Sequence, residues 1–137
     1  MRRNTVILGL TLATAAISLP GSVGAAAPQT PVAIVQAQVE AYNSGDAKAF
    51  AAFYAEDVEI FDLGPDTAPM VKGRAALIAR YEPLLRQYRP KTQIVSQIES
   101  GNFVIDKERV TAGGRTNESA AIYQVENGKI RRVWFTP

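Results

Sequence analysis

Asp57-Val58-Glu59-Ile60-Phe61-Asp62-Leu63 is the stretch on which the fold turns. Val58, Ile60 and Asp62 fall on one face of a strand and Glu59, Phe61 and Leu63 on the other, because successive side chains of an extended chain point to opposite sides. Before it, apolar residues keep a helical period. Pro31 can open a helix at its first turn, and Val32, Val35, Val39 and Tyr42 follow at spacings of three, four and three. Asn43-Ser44-Gly45 stops that helix. Asp46 can cap a short second one, whose apolar stripe is Phe50, Phe53 and Tyr54.

After the strand, residues 64–69 read as a loop, and helical spacing returns over 73–88 through Leu77, Tyr81, Leu84 and Tyr88. Pro83 lies inside this pattern and is expected to kink or split the helix near 81–82. The remainder alternates as an antiparallel meander with strands over 91–100, 103–112, 116–126 and 129–136. Its turns are Gly101-Asn102, Gly113-Gly114 and Asn127-Gly128, the last being the strongest hairpin signal. Three helices followed by a curved, mainly antiparallel sheet make an α+β domain, with the helices packed on the sheet as a cone.

The chain of 137 residues begins with a different kind of segment. Arg2 and Arg3 precede an apolar run over 6–19, which Pro20-Gly21 ends and Val23-Gly24-Ala25 follows with small residues. This is the layout of a secretory signal peptide. The domain division is therefore a leader over 1–26 and one domain over 27–137. An uncleaved anchor is the alternative, although the run is shorter than the roughly 20 residues a spanning helix needs. The expected location is periplasmic or secreted, with no membrane association after cleavage. The formal charge of +2 comes from 15 basic and 13 acidic residues, and two of the basic ones are Arg2 and Arg3. The remaining domain is formally neutral, so nothing in its charge calls for a nucleic acid.

Cysteine and histidine are both absent. Disulfides, cysteine nucleophiles, thiolate zinc sites and imidazole triads are thereby excluded. Asp57, Glu59, Asp62 and Asp66 are close in sequence, but alternation splits them across two faces, and no metal site is expected. Acid–base chemistry is left to Asp, Glu, Tyr, Lys or Arg, and no cofactor is implied.

Three motifs occur in order: Tyr42-Asn43-Ser44-Gly45-Asp46, Phe53-Tyr54-Ala55-Glu56-Asp57-Val58 and Val71-Lys72-Gly73-Arg74-Ala75-Ala76-Leu77. Together they resemble the nuclear transport factor 2-like superfamily, and within it the SnoaL-like and ketosteroid-isomerase-like proteins. The resemblance implies the cone fold, with a pocket at its open end, and a homodimer formed through the sheet. It does not imply one activity, since the superfamily hosts isomerases, cyclases, hydrolases and binders. Ketosteroid isomerase works with an Asp base, a Tyr and a protonated Asp. Its base position falls on Asp62, and its third-helix tyrosine, eight residues beyond Gly73, falls on Tyr81. Its oxyanion tyrosine falls on Gln38 and its oxyanion acid near Ala121, which are two departures.

The residues themselves point the same way for Asp62. If Val58 and Ile60 face the core, so does Asp62, and apolar walls would raise its pKa into a range useful for proton transfer. The alternative is a solvated Asp62 that caps the Gly64-Pro65 turn. Gln38 lies one turn before Tyr42 and can offer an amide to the same cavity, or can face solvent. Tyr81 joins them from the third helix, and Tyr123, alternating with Ala121 and Val125, is expected to point inward on the sheet. Ile130, Arg132 and Trp134 alternate on the last strand, and Trp134 either packs in a dimer interface on the outer face or closes the cone from inside. Two functional readings follow. One is a binder of a small, largely apolar ligand, with Asp62 as anchor and Gln38, Tyr42, Tyr81 and Tyr123 on the pocket wall. The other is a cofactor-independent isomerase, dehydratase or cyclase with Asp62 as general acid and base.

Overall fold

Residues 29–66 and 68–137 are described by the computed structural model, so the leader read over 1–26 lies outside the described residues. Helix α1 (Pro31–Ser44) begins where Thr30 Oγ1 accepts a hydrogen bond from the Ala33 N–H at 3.2 Å. It ends at Gly45, whose φ of 84° lets its N–H turn back to the Tyr42 carbonyl. Asp46 then caps α2 (Ala47–Ala51), its carboxylate accepting from the Lys48 and Ala49 N–H groups at 3.0 and 2.9 Å. Helix α3 spans Arg74–Tyr88.

Six strands form one sheet: β1 (Tyr54–Asp62), β2 (Val71–Lys72), β3 (Lys91–Ser100), β4 (Phe103–Ala112), β5 (Arg115–Glu126) and β6 (Lys129–Phe135). Their order is β2-β1-β6-β5-β4-β3. All neighbours are antiparallel except β1 and β6, which run parallel. Asn127 and Gly128, at φ 51° and 74°, make the tight turn between β5 and β6 that the Asn-Gly pair demands. Register shifts at Ile94/Ser96, at Gln124/Val125 and between Tyr54 and Glu59 add local bends. The helices cover one face of the curved sheet. Ile34 and Val35 of α1, Phe50 of α2 and Leu77 of α3 pack there on Val58, Ile60, Val104, Val125 and Val133.

The α+β cone expected from the sequence is present, and four local expectations are corrected. The second helix ends at Ala51, so Phe53 lies in the turn after it and Tyr54 belongs to β1. Pro83 does not split α3, which runs through it. Pro83 and Ala79 are both exposed, so the carbonyl that loses its N–H partner faces water. The segment read as loop and link before α3 contains β2, too short for a two-residue period to show. Ile130 does not share a face with Trp134. Val125 pairs with Ile130 but Gln124 with Arg132, so Arg131 is an extra residue and the phase changes there. Ile130 and Val133 are fully buried in the core, while Trp134 turns outward and stacks on Phe61 at 5.7 Å.

β3 is an edge strand, and its first turn is tied to the end of α1 by one side chain. Asn43 Nδ2 donates to the Thr92 carbonyl at 2.8 Å, and Asn43 Oδ1 accepts from the Thr92 N–H at 2.7 Å. Lys91 Nζ donates to the Asn43 carbonyl beside it.

Candidate functional site

Between the helices and the inner face of the sheet lies a cavity of about 290 Å³. Its walls are mostly apolar, with Val39, Phe50, Met70, Leu84, Val110 and Phe135 among them. All five residues singled out from sequence line it: Gln38, Tyr42, Asp62, Tyr81 and Tyr123. They come from α1, β1, α3 and β5, so the site exists only when the helices close on the sheet.

Asp62 stands at the rim. It is exposed although it lines the cavity, and its carboxylate makes no hydrogen bond among the described residues. The turn it precedes is held instead by the Leu63 N–H, which donates to the Phe135 carbonyl at 2.7 Å. The desolvated acid expected at Asp62 is found at another residue.

That residue is Glu108, 5% exposed, on the inner face of β4 and on the cavity wall. Burial pushes its pKa up to about 7, against a lowering by the Tyr123 hydrogen bond and with a further rise from Asp106. Glu108 ends a chain of buried hydrogen bonds. Tyr54 Oη donates to Gln38 Oε1 at 3.0 Å, Gln38 Nε2 donates to Tyr123 Oη at 3.2 Å, and Tyr123 Oη donates to Glu108 Oε1 at 2.7 Å. Gln38 is 2% exposed, which rules out the solvent-facing alternative. Its amide is held at both ends by the two phenols, so it is a connector rather than a free oxyanion donor. Burial also drives the Tyr54 and Tyr123 hydroxyls well above their ordinary pKa, and both stay neutral donors.

The aromatic side of the cavity is one cluster. Phe50 sits 5.5 Å from Tyr42, 4.9 Å from Tyr54 and 5.1 Å from Tyr81, and Tyr42 meets Tyr81 edge-on at 6.1 Å. Behind Glu108, Asp106 is fully buried. Its Oδ1 accepts from Gln97 Nε2 at 2.8 Å, and its Oδ2 has no partner. Burial raises its pKa also, opposed by the Gln97 bond. Arg74 is not part of the cavity: its guanidinium donates to the Tyr54 carbonyl at 2.7 and 3.0 Å and pairs with Glu56 at 2.7 Å. Among the described residues, no cluster of three His, Cys, Asp or Glu side chains could hold a metal ion.

Glu108 was missed in the sequence reading, yet its signal was available. On strand 103–112, Val104, Asp106, Glu108 and Val110 share one face, and the two valines make that face the inner one.

The model of a family described as the SnoaL-like domain matches residues 35–133. No curated protein matches the chain. Among solved structures, an uncharacterised cystatin-fold protein from Novosphingobium aromaticivorans is 19% identical, with a TM-score of 0.72 over 78% of this chain and 97% of the other. A polyketide cyclase, so described provisionally, from Sinorhizobium meliloti is 16% identical, with a TM-score of 0.64 over 74% and 92%. A protein of ketosteroid-isomerase-like fold from Catenulispora acidiphila, in complex with trimethylamine, is 16% identical, with a TM-score of 0.66 over 78% and 85%. At these identities the likenesses establish the fold and no activity.

A buried acid of this kind has a thermodynamic signature. From about pH 4.5 to about 7 the folded protein holds a proton on Glu108 that the unfolded chain has lost, so stability falls as pH rises through that window. The full effect is of the order of 3 kcal/mol, and Asp106 acts in the same direction. Thermal melts from pH 4.5 to 8 should show the midpoint falling in wild type and falling much less in Glu108→Gln. Equal slopes in the two proteins would contradict the assignment.

Proposed function

The chain belongs to the SnoaL-like domain family, and we propose that it is an exported domain that binds a small, largely apolar ligand in the cavity of the cone. The observation that carries this reading is the cavity's make-up. Apolar and aromatic walls enclose a few convergent polar groups, which is the composition of small-molecule sites. Gln38 and Tyr123 are spent on holding Glu108, Tyr42 and Tyr81 shape the aromatic wall, and Asp62 at the rim is the anchor for a polar end of the ligand. The test is titration with a panel of phenols and steroids, read by intrinsic fluorescence. Saturable binding that weakens several-fold in Asp62→Asn supports the site and its anchor; no binding across the panel would refute the reading.

A second reading is favoured by Glu108. An acid with a pKa near 7 inside the cavity, with a second carboxylate at the cavity rim, offers both a proton donor and an acceptor. On this reading the protein is a cofactor-independent isomerase, dehydratase or cyclase in which Asp62 moves the proton. The spent amide of Gln38 weighs against it, because no free donor stands at that oxyanion position.

Two further parts of the proposal rest on other features. The outer face of the sheet carries an apolar row in register across five strands: Ile98 with Ile105, Ile105 with Ile122, Ile122 with Trp134 and Trp134 with Phe61. Ile98 is 61% exposed. A second copy of the chain is the occupant we assign to this face. Sedimentation equilibrium should give a dimer for wild type and a monomer for Ile122→Arg, and a wild-type monomer at high concentration would remove the claim. Export rests on the leader pattern over 1–26, and mass spectrometry of the protein recovered from the periplasm or medium should find a chain beginning near Ala27. Recovery of the full chain only from the cytoplasm would overturn it.

A further inference from the structure

The charged groups that line the cavity are all of one electrical sign. Tyr123 donates its proton to Glu108 Oε1, Tyr54 donates its proton to Gln38, and Gln38 donates to Tyr123. Among the described residues, Glu108 Oε2 has no hydrogen-bond partner, and neither carboxylate oxygen of Asp62 has one. No Lys or Arg is among the residues lining the cavity. The titratable groups around Glu108 are Asp106 and Tyr123 on the sheet, Tyr54 on β1, Tyr42 on α1 and Tyr81 on α3, with Asp62 at the cavity rim. Arg80 on α3 is a cation nearby, but it is exposed, acts on the Tyr81 hydroxyl and is not among the residues lining the cavity. A buried charge is stable when paired, and among the described residues no cation lines the cavity to pair with this one. The rings of Tyr42, Phe50 and Tyr81 line the same cavity as Glu108, and aromatic rings attract cations.

We propose that the ligand of this cavity carries one cationic nitrogen on an otherwise apolar body, seated between Glu108 and the aromatic cluster. This rests on the reading of the cavity as a ligand site and names the chemistry that the site selects. A tertiary or quaternary amine fits better than a primary one. Its charge is spread over methyl or methylene groups that suit the apolar walls, and it needs few acceptors. Binding shifts Glu108 to its ionised form, so at pH 6, where the free protein holds that proton, the complex releases it.

The test uses the mature chain and two probes of the same shape, phenyltrimethylammonium and tert-butylbenzene, in isothermal titration calorimetry. At pH 8 the cation should bind at least tenfold tighter than its neutral isostere. Glu108→Gln should lose tenfold or more for the cation and less than twofold for the neutral probe. At pH 6, wild-type heats measured in buffers of different ionisation enthalpy should report release of close to one proton, falling toward none at pH 8. Equal or tighter binding of tert-butylbenzene would overturn the charge selection while leaving the cavity as an apolar site. Binding of neither probe, nor of the phenol and steroid panel, would overturn both readings. If Glu108→Gln fails to fold, the wild-type comparison and its proton release still decide, and no proton release at pH 6 sinks the proposal.

Discussion

A carboxyl group placed where water is scarce sets the terms for the rest of this structure. Glu108 is reached by a single phenol, and that phenol is itself held by an amide that a second phenol holds. The four side chains come from β4, β5, α1 and β1, so this line of hydrogen bonds crosses from the sheet to the first helix and back. Burial of such groups costs free energy unless each finds its partner, and a half-satisfied network is worse than an apolar core. The seating of α1 over the sheet is therefore fixed more narrowly than apolar packing by Ile34 and Val35 would fix it. An error of about an ångström in that seating would break bonds in the dry interior.

The two faces of the sheet divide the work. Inward residues of β4 and β5 alternate between core packing, at Val104 and Val125, and the polar line, at Glu108 and Tyr123. Outward residues of the same strands, Ile105 and Ile122, form the apolar row that ends at Trp134 and Phe61. The extra residue Arg131 makes both possible on β6. It keeps Ile130 and Val133 inside while sending Trp134 out, where it meets Phe61.

Much of this was legible in the sequence, and the exceptions have physical causes. Period and turn chemistry placed β3 and β4 to the residue, because Gly101-Asn102 and Gly113-Gly114 on either side of β4 permit few alternatives to a hairpin. Tyr42 and Tyr123 were legible as cavity residues from the phase of their own helix or strand, while Gln38 and Tyr81 were reached through the family resemblance, phase alone leaving Gln38 open. Phase fails where the chain skips a residue, as at Arg131, since a bulge leaves no mark in composition. Asp62 was placed on the correct face, but face does not give depth: it lies at the strand's end, where the cavity opens. Glu108 does not announce itself, because a charged residue on a meander strand is far more often exposed than buried, and only the seating of the helices over β4 makes it dry. Pro83 misled because its cost depends on what surrounds the freed carbonyl, which only the fold reveals.

Asn43 closes the account of the sheet. A terminal strand presents unpaired N–H and C=O groups on which another chain can grow, the usual start of edge-to-edge aggregation. At Thr92 both groups are already taken by a single side-chain amide, which imitates the next strand without supplying one. The imitation stops after one residue, and a little further on the bulge at Ile94/Ser96 disturbs the straight run that an incoming strand would need. The motif that ends the first helix thus also protects the β3 edge from templating, and a sequence that lost Asn43 would keep its fold pattern on paper while gaining a sticky border.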